Sequence, residues 1–78
     1  MATTQIEHDG LWINITTSEV KGGWVSEYQI GIAPIRRCHD RPIPSEEIAF
    51  SDAKLNAERE IEHAKRLPNG LDRFGRQT

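Results

Sequence analysis

The chain has 78 residues and a mass of 8.9 kDa, with ten basic against twelve acidic side chains and a pI near 5.9. Area scaling for that length gives about 4,800 Å² of folded surface against roughly 12,900 Å² unfolded, one small domain with no room for a large enclosed cofactor. Balanced charge is unlike the basic excess of a general phosphate binder, and 36% hydrophobic beside 28% charged residues implies a thin core under a wet surface.

Cys38 is the only cysteine, which rules out an internal disulfide and a thiolate cage for zinc. No apolar run approaches the ~20 residues of a membrane span. The opening Met1-Ala2-Thr3-Thr4-Gln5 has neither the basic segment nor the apolar run of a secretory signal. These features predict a soluble, cytoplasmic chain with no membrane contact.

Residues 1–9 are polar and aperiodic, which predicts a flexible N-terminal segment ending at the turn signal Asp9-Gly10. Leu11 to Thr17 then reads as a strand, with Leu11, Ile13 and Ile15 on one face and Trp12, Asn14 and Thr16 on the other. Gly22-Gly23 supplies a hairpin turn. The next strand, Trp24 to Ala33, sets Trp24, Ser26, Tyr28, Ile30 and Ile32 against Val25, Glu27, Gln29 and Gly31.

From residue 34 to 47 the pattern weakens. Ile35 to Arg41 is expected as a charged third strand at a sheet edge, because Pro42 and Pro44 cannot continue a strand in a sheet interior. The competing option is a loop followed by a short strand at Ile48-Ala49-Phe50. The helix is expected from Ser51 to Leu67, with Ser51 as N-cap, Phe50 and Leu55 as a staple, and a stripe of Ala53, Ala57, Ile61, Ala64 and Leu67. Pro68-Asn69-Gly70 ends it. The expected organisation is therefore α+β: a small antiparallel meander of two to three strands with one C-terminal helix on one face. Residues 10–68 form the β-β-(β)-α domain and residues 69–78 a flexible tail.

Chemistry has few anchors. Cys38-His39-Asp40 contains the residue types of nucleophile, base and orienter, but strand alternation turns His39 away from the other two. His8, His39 and His63 lack the i,i+4 spacing of a helical metal site. Asp52, Glu58, Glu60 and Glu62 read as a solvated helix face with Arg59, His63 and Arg66 as near partners. Gly22-Gly23 is followed by no phosphate-binding Gly-Lys-Ser/Thr. The expectation is no enzyme, no cofactor and no metal. Arg36, Arg37 and Arg41 are the one basic concentration, with Trp12 and Trp24 as aromatic neighbours. Together they are the candidate contact for a partner or for nucleic acid.

Gly23-Trp24-Val25, followed by Ser51-Asp52-Ala53 with Ala57 and Ile61, resembles HicB-like antitoxins over residues 10–67. Those proteins carry a Gly-Trp-Val-like entry to the second strand and regularly spaced helix alanines in a β-β-β-α unit. The chain departs from them at Ile32-Ala33-Pro34-Ile35, where the family places a Pro-Asp-Leu-Pro-Gly-like turn. The DNA-binding region of longer members has no counterpart in these residues. The same order is similar to short uncharacterised bacterial proteins with a Gly-Trp pair and an alanine-rich helix. A double-stranded-RNA-binding domain shares the strand–helix ending but begins its final helix with lysines, unlike Ser51-Asp52-Ala53-Lys54. What the residues and the resemblance imply is a non-catalytic interaction or regulatory module, as a homodimer or bound to another protein. The alternative is a nucleic-acid-binding regulator using the arginines.

Overall fold

The computed structural model describes residues 2–75. They build a four-stranded antiparallel meander in the order β1-β2-β3-β4: β1 Ala2–His8, β2 Leu11–Val20, β3 Gly23–Ile30 and β4 Arg36–Arg37. One helix, α1 at Glu46–Lys65, packs on one face, and a short 3-10 turn follows at Gly70–Phe74. This is the expected α+β class with four strands instead of two to three.

The additional strand lies where no element was expected. Asp9 and Gly10 both take positive φ, 53° and 79°, so they form the two-residue primed turn whose twist suits a hairpin. His8 thereby faces Leu11, and the pairing runs without a bulge to Ala2 opposite Thr17. The helix-side positions of β1 are Ala2, Thr4, Ile6 and His8, with Ile6 alone strongly apolar, so the strand shows no hydrophobic alternation.

The charged third strand shrinks to Arg36–Arg37, opposite Tyr28 and Glu27. The prolines that flank it cannot donate to a ladder. Beyond β4 the chain returns to β3 at one point, where Trp24 and Ile43 exchange backbone hydrogen bonds of 2.7 and 2.8 Å. β3 stops at Ile30, short of Ala33, because Gly31 turns the chain at φ 54°.

The helix is capped six residues earlier than the expected Ser51–Leu67 span has it. Ser45 is the N-cap, and its hydroxyl accepts from the Ile48 amide at 3.3 Å, while Glu46 and Glu47 place negative charge in the first turn. Ser51 and the alternative strand Ile48-Ala49-Phe50 therefore lie inside the helix. Ser51-Asp52 offers a similar cap by composition; Ser45 gains two first-turn carboxylates and stands behind Pro44, which cannot itself continue a helix backward. The helix ends at Lys65, leaving Leu67 42% exposed beyond it.

Ala49, Ala53, Ala57, Ile61 and Ala64 are fully buried on the inner side of α1. Small side chains bring the helix backbone close to the sheet, where Leu11, Ile13 and Ile15 of β2 and Tyr28 and Ile30 of β3 supply the volume. At the helix start, the buried Thr17 hydroxyl donates to Glu46 at 3.1 Å. Nearer the other end, the Tyr28 hydroxyl donates to Glu60 at 2.7 Å, and Arg36 approaches the same carboxylate at 3.0 Å.

Part of the segment expected as a flexible tail belongs to the core. Phe74 is 2% exposed, and its carbonyl accepts from the Ile32 amide at 3.2 Å. A Cβ on Gly31 would collide with that carbonyl, so the close approach requires glycine. Residues 76–78 and Met1 lie outside the described residues. No helix among the described residues is long and apolar enough to cross a membrane.

Candidate interaction surface

Strand alternation divides the sheet into two unlike faces. Leu11, Ile13, Ile15, Thr17, Ser26, Tyr28 and Ile30 lie under α1, all of them buried. The opposite face is covered by no described element. It carries Thr3, Gln5 and Glu7 of β1, Trp12, Asn14, Thr16 and Ser18 of β2, and Val25, Glu27 and Gln29 of β3. Trp12 is 51% exposed there, so its indole is outside the core. Thr3 and Thr16, register partners, share a hydroxyl hydrogen bond of 3.2 Å across the same face.

At one end of this face is a groove of about 380 Å³, lined by Thr16, Ser18, Val25, Glu27, Arg37 and His39 among others. Arg37 makes no ion pair among the described residues, and it lines the groove together with Thr16 and Ser18.

The expected cluster of Arg36, Arg37, Arg41, Trp12 and Trp24 is not brought together. Arg36 pairs with Glu60 of α1, on the helix side, whereas Arg37 lines the groove of the opposite face. Arg41 is exposed in the loop before Pro42. Trp24 shares its side of β3 with Ser26, Tyr28 and Ile30 and is only partly exposed, whereas Trp12 faces the other way. Consecutive residues on a strand point to opposite faces, which is why adjacency in sequence does not make a patch.

Cys38, His39 and Asp40 make no triad. Burial of Cys38 beside the core raises its thiol above the ordinary range, although Ser26 and Asn56 nearby pull it back in part. A raised thiol is the reverse of an activated nucleophile. His39 turns toward Asp52 of α1, with Nε2 3.6 Å from the carboxylate, rather than toward Cys38.

His8 forms a cluster that its sequence context does not announce. Its Nε2 lies 3.2 Å from Glu62 and 3.3 Å from Asp9, and its Nδ1 lies 3.5 Å from Glu58. The ligand atoms of His8, Asp9 and Glu62 fall within 4.8 Å of one another, a spacing a metal ion would accept. The Lys65 ammonium already sits 2.9 Å from Asp9 and 3.4 Å from Glu62, so a side chain supplies the countercharge. His63, also considered as a ligand, is exposed in the last helical turn and does not join. The cluster ties the β1–β2 turn to the end of α1.

That tie has a pH signature. The hydrogen bond from Lys65 holds the Asp9 carboxyl below its usual range. A depressed carboxyl stabilises the fold above its unfolded pKa, and the contribution is lost as pH falls through the folded value. Asp9→Asn keeps a residue suited to positive φ but removes the charge. The expected result in urea titrations is a small deficit for the variant near neutrality that disappears below about pH 3 and shrinks in salt, because the pair is exposed.

Comparison with protein-family models, curated proteins and solved structures finds no match, so the likeness to HicB-like antitoxins rests on the residues quoted for it alone.

Proposed function

We propose that the protein is a non-catalytic interaction module of the cytoplasm that binds a protein partner through the uncovered face of its sheet. The observation that carries this reading is the position of Trp12. It is half exposed on a face that α1 leaves open, and it is the one aromatic side chain among the exposed large apolar groups of the described residues. Tryptophan is the residue type most enriched among energetic anchors of interfaces. Arg37, without an ion pair among the described residues, offers the groove beside it to an acidic side chain of the partner.

The arginines support nucleic acid less well than their sequence spacing does. Arg36 is engaged by Glu60, and the open face carries Glu27 directly opposite Arg37 and Glu7 on the far strand. A phosphate backbone would meet mixed charge there.

Trp12→Ala is expected to leave the urea midpoint within the small range of surface substitutions, about 0.5 kcal/mol either way, because no core packing is lost. The same variant, used as bait beside the wild type, is expected to lose the proteins that the wild type retains. Amide spectra recorded while adding short RNA and DNA, at low and moderate salt, supply the opposing test. Salt-sensitive shifts centred on residues 35–41 would overturn the protein-binding reading in favour of nucleic acid.

A further inference from the structure

The two edges of the sheet are treated differently. On the β4 side, the edge is only two residues long, and the segment after it carries Pro42 and Pro44 and folds back on β3 through Ile43. Short strands and prolines are the usual devices that keep an edge from pairing with another chain. The β1 edge has none of them. It is seven residues long, Ala-Thr-Thr-Gln-Ile-Glu-His, with no proline, lysine or bulge, and no described residue pairs with its outer side.

The register determines which backbone groups are free. In a two-residue hairpin the residues flanking the turn, here His8 and Leu11, exchange hydrogen bonds, and the exchange recurs at every second position. His8, Ile6, Thr4 and Ala2 therefore direct their N–H and C=O groups at β2. Thr3, Gln5 and Glu7 direct theirs outward, three donors and three acceptors in a row.

We infer that a second copy of this chain pairs with that edge, β1 against β1, antiparallel about a two-fold axis through Gln5. This goes beyond the open-face reading, since it uses the strand edge and names the occupant. In this register Gln5 meets Gln5 of the other copy, and Thr3 meets Glu7 in both directions. All six outward backbone groups of each chain then have partners, and isologous contact of this kind closes at two subunits. Charge is also accommodated. Glu7 stands opposite Thr3 and His8 opposite Ala2, whereas a register that centred the axis on Glu7 would oppose two carboxylates. On the helix side, Ile6, only partly covered within one chain, gains Thr4 of the other copy as a close neighbour. The product is a continuous eight-stranded sheet. A contact of seven-residue strands is at the small end of protein interfaces, so the dimer is expected with a dissociation constant of about 1 μM or weaker.

Gln5→Pro tests this cleanly, because the amide it removes points outward and the β1–β2 ladder keeps its donors. Light scattering and sedimentation over chain concentrations up to about 0.5 mM are expected to show the wild type passing from one chain to two. The variant, with an unchanged circular dichroism spectrum, is expected to raise the dissociation constant at least about tenfold. Gln5→Lys is the second variant, needed if proline disturbs the strand. It alters only a side chain on the open face and sets two positive charges opposite each other at the axis, with the same expected loss. Trp12→Ala is expected to leave the dimer intact. A wild type that stays monomeric throughout overturns the inference. So does a dimer that survives both Gln5 variants, and one that Trp12→Ala abolishes would assign self-association to the open face instead.

Discussion

Phe74→Ala is expected to remove most of the stability of this domain. The phenyl ring is 2% exposed and belongs to the same core cluster as Ile30, Ile61 and Ala64. Truncating a buried phenylalanine costs about 3–5 kcal/mol, through lost transfer free energy and the cavity left behind. A chain of this length has roughly 4–12 kcal/mol in total. The loss propagates further than the ring, because Phe74, with the partly buried Leu71 and the hydrogen bond from the Ile32 amide, holds the 3-10 turn on the core. Urea titration should place the midpoint far below that of the wild type, with a reduced slope if residues 70–75 detach. Phe74→Leu, which retains most of the apolar volume, is expected to recover more than half of the deficit. Equal stability of Phe74→Ala and wild type would mean that the turn is not docked in solution.

The second large effect is expected from Ala57→Leu. Ala57 is fully buried, as are Ala53 one turn before it and Ile61 one turn after it. The alanine stripe is what allows the α1 backbone to approach β2 and β3, so an isobutyl group at its centre has no space to enter. Overpacking of a core typically costs about 1–3 kcal/mol. Here the helix must lift along its length, which also stretches the Tyr28–Glu60 and Thr17–Glu46 hydrogen bonds, and the cost should lie at or above the upper end. Lys54→Leu, an exposed substitution on the same helix, is the control and should stay within about 0.5 kcal/mol of wild type. The contrast between the two separates helix propensity, in which leucine is a strong helix former at both positions, from packing, in which only one is tolerated.

Legibility in the sequence followed the strength of periodicity. The inner stripe of Ala53, Ala57, Ile61 and Ala64 could be read because a helix that packs on a sheet must repeat its small and apolar groups every three to four residues. The two faces of β2 and β3 could be read for the same reason at period two, and with them the outward position of Trp12. The helix start could not, since Ser45 and Ser51 are both competent caps and the composition between them suits either a helix or a strand. β1 left no periodic trace because it is an edge strand with one strongly apolar residue on its inner side. Its signal was Asp9-Gly10, a hairpin dipeptide rather than the end of a tail. Phe74 is a solitary anchor, and its partner Gly31 is remote in sequence, so no local pattern marks either. The arginine cluster was an artefact of adjacency: Arg36 and Arg37 are neighbours along the chain and stand on opposite sides of the sheet. Two of the three carboxylates around His8, those of Glu58 and Glu62, come from a helix 50 and more positions away, which no spacing rule reaches.

The meander order also sets the sequence in which the molecule assembles. Every strand pairs with its chain neighbour, and the loops Asp9-Gly10 and Lys21-Gly22 close over two residues, so the hairpins form on the timescale of microseconds, about 1–10 μs each. Among the described residues, the hydrogen bonds of largest separation are those of His8 with Glu62, 54 positions apart, and Asp9 with Lys65, 56 apart. Such contacts are the costliest in loop entropy and form after the local ones. They hold β1 to a helix that has already docked on β2 and β3. Weakening them is therefore expected to shorten the lifetime of the native state without slowing its formation.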